Sequence, residues 1–215
     1  MKKGIFFILI IAVQGLYAQG LDGYWQAYLG NYKLRNNWNW HNEAQTRFFV
    51  DEAYQNQFLI RNGVGYNVNP QNNLTIGYAF ISSWDNHARP EHRTYQQFMT
   101  KQRFGKTLLL HRYRLEQRFL EDGLLWRWRY FLAAYYAINN DEVIAKTIYL
   151  SAYNEIFLVH DYRTFDQNRL YGGLGYAITD DIKVEAAALY QTFNDRQNLF
   201  FQVVLFKNFA FKKHR

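Results

Sequence analysis

The sequence contains no cysteine and only two prolines. The absence of cysteine excludes a disulfide scaffold, a thiolate-ligated zinc site and a cysteine nucleophile. The scarcity of proline, together with 49% hydrophobic and 20% aromatic residues, argues against a disordered chain. The mean hydropathy of −0.41 argues against a bundle of membrane helices. After residue 18, no run approaches the ~18 apolar residues that a spanning helix needs.

The first eighteen residues predict a cleaved signal peptide. Lys2 and Lys3 form a positive start, residues 5–13 are an unbroken apolar run, and the small Ala18 precedes the expected cleavage site. The apolar run is too short to span a membrane as a helix. No linker or change in composition follows, so we expect a signal peptide over 1–18 and one exported domain over 19–215.

Segments of alternating polar and apolar residues fill the rest of the chain, separated by clusters of turn-forming residues. In residues 124–138, for example, Trp126 and Trp128 alternate with Arg127 and Arg129. Successive side chains of a strand point to opposite faces, so each segment has an apolar and a polar face. Most segments are longer than the usual globular strand of ~5–6 residues and match a tilted transmembrane strand of ~9–11. The segments span 23–34, 37–51, 56–68, 73–83, 91–104, 107–120, 124–138, 146–157, 165–178, 182–193 and 198–211.

A soluble antiparallel sheet produces the same alternation with its apolar face inside, so a secreted sandwich or lipocalin-like barrel is the alternative. The uniform segment length, the signal peptide and the aromatic residues near segment ends instead favour an outer-membrane barrel. The sequence therefore predicts an all-β protein, a transmembrane antiparallel β-barrel in the outer membrane of a Gram-negative bacterium. The aromatic residues expected to form interfacial girdles are Trp38, Trp40, Tyr66, Tyr78, Phe119, Trp126, Tyr136, Tyr176 and Tyr190.

The number of strands is expected to be even. Eleven segments are recognisable, but single-chain bacterial barrels have even strand numbers. We therefore predict 10 or 12 strands, with either one strand unrecognised or the segment 23–34 lying inside or across the lumen.

Several motifs in these segments are similar to those of one family. They are NEAQTR at 42–47, EHR at 91–93, HRYRLEQRF at 111–119, NEIF at 154–157 and FDQNRLYGGLGY at 165–176. Together they resemble the domain-of-unknown-function family 2490 (DUF2490), presumed outer-membrane β-barrels of Gram-negative bacteria. The resemblance covers nearly the whole mature chain. It implies a fold and a location, and it implies no catalytic residues.

If the apolar faces meet lipid, the polar faces enclose a charged lumen. Twelve cationic and five anionic residues fall on those faces, an excess of +7. Two interpretations stay open: a ladder of salt bridges that fills a narrow lumen, and a water-filled pore whose surplus cations attract anions. The candidate lumen-lining charges are Glu43, Arg47, Arg61, Glu91, Arg93, Lys101, Arg103, Arg112, Arg114, Glu116, Arg118, Arg127, Arg129, Glu155, Arg169, Lys183 and Glu185.

These features favour a non-enzymatic envelope protein, either a small, anion-preferring, porin-like pore or a structural subunit of an envelope assembly. The expected partners are outer-membrane lipid and lipopolysaccharide, and any partner proteins stay unidentified. Nucleic acid is not expected despite a sequence pI of about 9.4, because no nucleic-acid-binding motif is present. We expect no cofactor and no metal, since no histidine pair has metal-ligand spacing beside a carboxylate.

The alternative function is a barrel-embedded lipid hydrolase. Ser82 falls on the lipid-facing side of its segment, where a nucleophile acting on lipid would have to lie. His87 or His92 would serve as the base. The competing interpretation is an ordinary polar loop at the end of a strand.

Overall fold

The computed structural model describes residues 20–51, 56–83, 90–160 and 164–210. The predicted signal peptide, residues 1–18, lies outside the described residues. Among the described residues, no helix has the length and apolar character that it would need to cross a membrane. The strands are β1 (Gly23–Lys33), β2 (Trp38–Phe49), β3 (Gln57–Asn67), β4 (Asn72–Ser83), β5 (Glu91–Phe104), β6 (Thr107–Leu120), β7 (Gly123–Ala137), β8 (Ile148–Val159), β9 (Thr164–Ala177), β10 (Ile182–Thr192) and β11 (Gln197–Ala210).

These eleven strands form one closed barrel. Each strand from β1 to β11 is antiparallel to the next, and β1 closes the barrel by pairing in parallel with β11, with Gly23 opposite Phe200. An odd number of strands that reverse direction at every turn leaves the first and last strands pointing the same way. The prediction of 10 or 12 strands was therefore wrong. The segment 23–34 does not lie inside or across the lumen, because it forms wall strand β1.

The parallel closing pair is held at its start by Asp22. The Asp22 carboxylate accepts a hydrogen bond from the Leu199 backbone nitrogen at 2.6 Å, and the Asp22 backbone nitrogen donates to the Leu199 carbonyl at 2.8 Å. The Val50 nitrogen donates to the Asp22 carbonyl at 2.9 Å. Asp22 thus joins the chain just before β1 to β11 and to the residue that follows β2. At the other end, Tyr32 stacks on Phe209 with ring centroids 4.0 Å apart.

The outer surface of the barrel is apolar and its interior is polar. On β4, for example, Ile76 is 67% exposed, whereas the inward-facing Thr75 is 3% exposed. This distribution is the reverse of that in a soluble barrel. The aromatic residues predicted as girdles are all exposed in the structure: Trp38, Trp40, Tyr66, Tyr78, Phe119, Trp126, Tyr136, Tyr176 and Tyr190.

Glycine makes room for an inward-facing tyrosine on a neighbouring strand. Gly175 on β9 lies opposite Tyr149 on β8, and a Cβ atom at Gly175 would lie 2.2 Å from Cζ of the Tyr149 ring. The Tyr149 ring is itself buried, and its hydroxyl donates to Glu185 Oε1 at 2.9 Å. The ring therefore cannot move aside without losing this hydrogen bond, so the close approach requires glycine.

We predict that Gly175→Ala destabilises the barrel by about 1–3 kcal/mol, the usual cost of an overpacked interior. The matched control is Gly172→Ala in the same strand, because a Cβ atom at Gly172 has no heavy atom within 4 Å. Urea unfolding of the refolded protein, followed by tryptophan fluorescence, measures both variants. Equal stability of the two variants would contradict the proposed steric role of Gly175.

Candidate functional site

A cavity of about 770 Å³ lies inside the barrel, and every one of its eleven strands contributes to the lining. The cavity is the candidate site because most of the charged residues predicted for the lumen line it. Those that do are Glu43, Arg47, Arg61, Arg93, Lys101, Arg112, Arg114, Arg118, Arg127, Arg129, Glu155, Arg169, Lys183 and Glu185.

The three other predicted lumen charges lie elsewhere. Glu91 and Glu116 are buried and bind arginines that line the cavity. Arg103 does not line the cavity, which corrects its predicted placement in the lumen. It lies near the end of β5, is 40% exposed in its side chain, and pairs with Glu142 at 3.3 Å. Arg103 lies on the same face of β5 as the cavity-lining Lys101, as the alternation predicts. However, β5 continues past the part of the barrel that holds the cavity.

Two charged residues of the cavity lining were missed by the sequence pattern. Arg196 lies in the connection between β10 and β11. Asp166 lies at a bulge, where Phe157 pairs with Gln167 but the next residue, Leu158, pairs with Phe165. A bulge inserts one unpaired residue and redirects its side chain. Asp166 accordingly accepts a hydrogen bond from Arg127 Nη1 at 3.1 Å, which strict alternation along β9 does not predict.

The carboxylate of Glu116 is the centre of the charged interior. Its Oε1 accepts a hydrogen bond from Arg129 Nη1 at 2.5 Å, and its Oε2 accepts one from Arg127 Nη2 at 2.7 Å. Because Glu116 is only 1% exposed, its charge depends on these cations rather than on water. Three more guanidinium groups lie within 4.0 Å of it, those of Arg114 at 3.6 Å, Arg61 at 3.9 Å and Arg93 at 4.0 Å.

Glu155 extends this network toward β8 and β9. Its Oε1 accepts hydrogen bonds from Arg129 Nη2 at 2.7 Å and from Arg112 Nη2 at 2.8 Å. Arg129 therefore bridges Glu155 and Glu116. Arg169 on β9 lies farther away, with its Nη1 atom 3.8 Å from Glu155 Oε2.

Two further carboxylates pair with arginines of their own or a neighbouring strand. Glu91 accepts hydrogen bonds from Arg93 Nε and from Arg118 Nε, each at 2.5 Å. Arg93 and Arg118 lie directly opposite each other on β5 and β6, so Glu91 offsets the repulsion between them. Glu43 on β2 receives Arg61 Nη1 at 2.7 Å. The network of paired charges thus reaches from β2 to β9.

Glu185 lies in a different environment from the other lumen carboxylates. It accepts hydrogen bonds from the hydroxyl groups of Tyr149 at 2.9 Å, Ser151 at 3.0 Å and Tyr171 at 2.6 Å. Within the described ranges, no arginine or lysine nitrogen lies within 4.0 Å of its carboxylate. Glu185 therefore neutralises little of the cationic surplus in the network.

Some cations of the cavity have no carboxylate partner. Among the residues that the structure describes, Arg47, Lys101 and Lys183 form no ion pair within 4.0 Å, although all three line the cavity. The Arg47 guanidinium instead stacks over the indole ring of Trp25, 3.7 Å from its centroid. The interior consequently combines an ion-paired network with positive charges that an incoming anion can approach.

The structure contains no Ser–His contact at the predicted hydrolase site, as far as its residues are described. Ser82 Oγ donates a hydrogen bond to the Ser83 carbonyl at 3.3 Å. His92 instead bonds through Nδ1 to the Tyr78 hydroxyl at 2.5 Å. His87 lies outside the described residues. No group of three or more metal-ligating side chains occurs in the described part of the chain.

The sequence of this barrel matches one family profile, described as a protein of unknown function (DUF2490), over residues 22–201. The chain belongs to the DUF2490 family. The match extends from the residue before β1 into β11 and includes all the predicted lumen charges. No curated protein and no solved structure matches the chain. Family membership accordingly agrees with the resemblance of the sequence motifs, and it brings no reaction or ligand with it.

We predict that Glu116→Gln destabilises this DUF2490 barrel by about 3–5 kcal/mol, because it leaves buried arginines without their shared carboxylate. Glu142→Gln is the matched control. It removes a carboxylate from the exposed pair with Arg103, where an ion pair contributes less than about 1 kcal/mol. Urea unfolding of the two refolded variants makes the comparison. A Glu116→Gln barrel as stable as the Glu142→Gln barrel would contradict the central role of Glu116.

Proposed function

We propose that this DUF2490 protein is a non-enzymatic outer-membrane β-barrel that acts as a narrow, anion-preferring pore. The observation that carries the proposal is the charge imbalance of the cavity. Twelve basic side chains line it against four acidic ones, and two more carboxylates, Glu91 and Glu116, lie behind the lining. Arg196 pairs with Asp195 outside the lining, so five positive charges lack an acidic counterpart. A confined lumen with surplus positive charge raises the local concentration of anions.

The apolar outer surface supports placement in a membrane. Large aliphatic side chains are half exposed or more on several strands, for example Leu74 at 51%, Leu150 at 50% and Leu174 at 53%. Exposing this apolar surface to water costs about 25 cal/mol of free energy per Å². A bilayer would cover the surface and remove that cost. The strands are 11 to 15 residues long, which suits tilted strands that cross a bilayer.

The positions of the unpaired cations suit entry of anions from either end. Arg47 lies near the end of β2 that leads into the connection to β3. Lys101 and Lys183 lie near the opposite end of the barrel, close to the tight turns that follow β5 and precede β10. The ion-paired network around Glu116 lies between them. It would narrow the passage and restrict it to small solutes.

The second candidate is a closed structural barrel within an envelope assembly. The Glu116 network favours it, because arginines from β3, β5 and β7 converge on a single carboxylate of β6. A network that spans the lumen in this way can hold the wall rigid and block the passage of ions. Both candidates share the fold and the location, and they differ in whether the lumen conducts.

We predict that the refolded mature chain produces discrete conductance steps in a planar bilayer, with a reversal potential in a KCl gradient that shows preference for chloride. Replacing Arg47, Lys101 and Lys183 by glutamine removes the unpaired charges. We expect this triple variant to lower the chloride-to-potassium permeability ratio by about twofold or more. Arg103→Gln, which removes a positive charge outside the cavity, should leave the ratio unchanged.

The same recordings separate the two candidates. A barrel shown to be folded, yet electrically silent, would contradict the pore and support the closed structural barrel. Cation preference, or an unchanged ratio in the triple variant, would also count against the proposed mechanism.

Placement in a bilayer has its own test, which the cysteine-free sequence makes simple. We predict that Leu174→Cys on β9 resists a water-soluble maleimide after refolding into liposomes, because lipid covers the outer wall. Asp195→Cys, in the exposed connection before β11, should react fully. Both cysteines should react after denaturation. Rapid labelling of Leu174→Cys in the folded liposome sample would contradict the membrane placement.

A further inference from the structure

Two arginines of the cavity lining share one aromatic ring without a bridging carboxylate. The guanidinium carbon of Arg47 lies 3.7 Å from the Trp25 ring centroid, and that of Arg169 lies 4.9 Å from the same centroid. The Nε atom of each arginine is buried and has no hydrogen-bond partner. The nearest described carboxylate is Glu155, 3.8 Å from Arg169. Two like charges held this close, with unused donors, form a site for an anion.

The ring between these arginines is held in place by its surroundings. Trp25 Nε1 donates a hydrogen bond to Gln45 Oε1 at 3.0 Å, and the indole meets Phe200 edge to face at 5.8 Å. Gln202 lies directly opposite Trp25 on β11, and its buried Oε1 atom has no hydrogen-bond partner. The side chains around Trp25 are therefore held in place by packing, and some of their polar atoms have no hydrogen-bond partner.

An apolar track begins next to this site and follows the closing pair of strands. On β1 it consists of Ala27 and Leu29, and on β11 of Val204 and Phe206, which lie directly opposite them. All four line the cavity. From Trp25 to Leu29 the strand rises about 13 Å, at ~3.3 Å per residue. Beyond the track, the next inward pair is polar, Asn31 and Asn208.

We infer that the lumen binds an anionic amphiphile, with its oxyanion head at Arg47 and Arg169 and its single acyl chain along the apolar track of β1 and β11. The head supplies acceptor oxygens to the two guanidinium groups, of which Arg169 alone has a described carboxylate within 4.0 Å. The chain covers apolar lumen wall that would otherwise face water or charged side chains. The cavity volume of about 770 Å³ is within the usual range for small-molecule sites.

This binding does not depend on ion conduction. It requires only the folded barrel, since the head and tail contacts come from side chains of the lumen itself. A closed structural barrel could hold the amphiphile as well as a conducting one could.

The test is equilibrium dialysis of radiolabelled octanoate against the refolded mature chain in amphipol, where no free detergent competes for the ligand. We expect saturable binding to one site. Acetate keeps the head and lacks the tail, and octyltrimethylammonium keeps the tail and reverses the charge, so neither should bind at the concentrations that saturate octanoate. Octyl phosphate, compared with octanoate, shows whether the preferred head is a phosphate or a carboxylate.

Variants assign the site. Arg47→Gln should raise the Kd for octanoate about tenfold or more, because it removes a charge-assisted donor. Arg47→Lys keeps the charge without the planar fork and should fall between the wild type and Arg47→Gln. Leu29→Asn should weaken octanoate binding through the tail. Arg103→Gln, outside the cavity, should leave the Kd unchanged.

Four results would overturn the inference. They are the absence of saturable octanoate binding by a barrel shown to be folded, equal affinity of Arg47→Gln and wild type, binding of acetate as tight as that of octanoate, and binding of octyltrimethylammonium. A barrel that conducts chloride but binds no octanoate would refute the amphiphile site alone. A silent barrel that binds octanoate would refute the pore alone.

Discussion

The interior of this barrel depends on the attraction between one buried carboxylate, that of Glu116, and the arginines around it. A narrow barrel brings inward side chains from many strands close together, so guanidinium groups there would repel one another strongly without anions between them. Glu116 draws together arginines from β3, β5 and β7. Glu43, Glu91 and Glu155 extend the network to the neighbouring strands. The central part of the lumen is consequently ion-paired and densely hydrogen-bonded.

The cations that form no ion pair with a described residue lie away from that centre, and this separation gives the lumen two distinct regions. Arg47, near one end of the barrel, stacks on Trp25 and forms no ion pair with a described residue. Lys101 and Lys183, near the other end, also lack one. The parallel closing pair, β1 with β11, contributes the apolar wall between these ends. A charged wall and an apolar wall therefore face the same cavity, which a uniform ring of arginines would not produce.

Much of the fold and part of the site could be predicted from the sequence, because alternation along a strand is a local property. The eleven segments correspond closely to the eleven strands, and most of the predicted charges line the cavity. The prediction of 10 or 12 strands was wrong because it followed the even strand number of known bacterial barrels, whereas the sequence has eleven alternating segments. Asp166 was missed because a bulge changes the alternation locally, and a bulge is a feature of strand pairing rather than of composition. Arg103 was misplaced because alternation does not reveal where along a strand the cavity ends.

The sequence by itself determined the class of the protein: strands with one apolar and one charged face, in a cysteine-free chain with more basic than acidic side chains. Each of these properties follows from residue identity and a spacing of two along the chain. Only the tertiary structure decided which charges meet. The parallel closure of β1 on β11, the convergence of arginines on Glu116 and the placement of Arg47 and Arg169 over the Trp25 ring all depend on the register and curvature of the closed barrel. Register and curvature bring together residues that are far apart in sequence, and no local sequence pattern encodes that proximity.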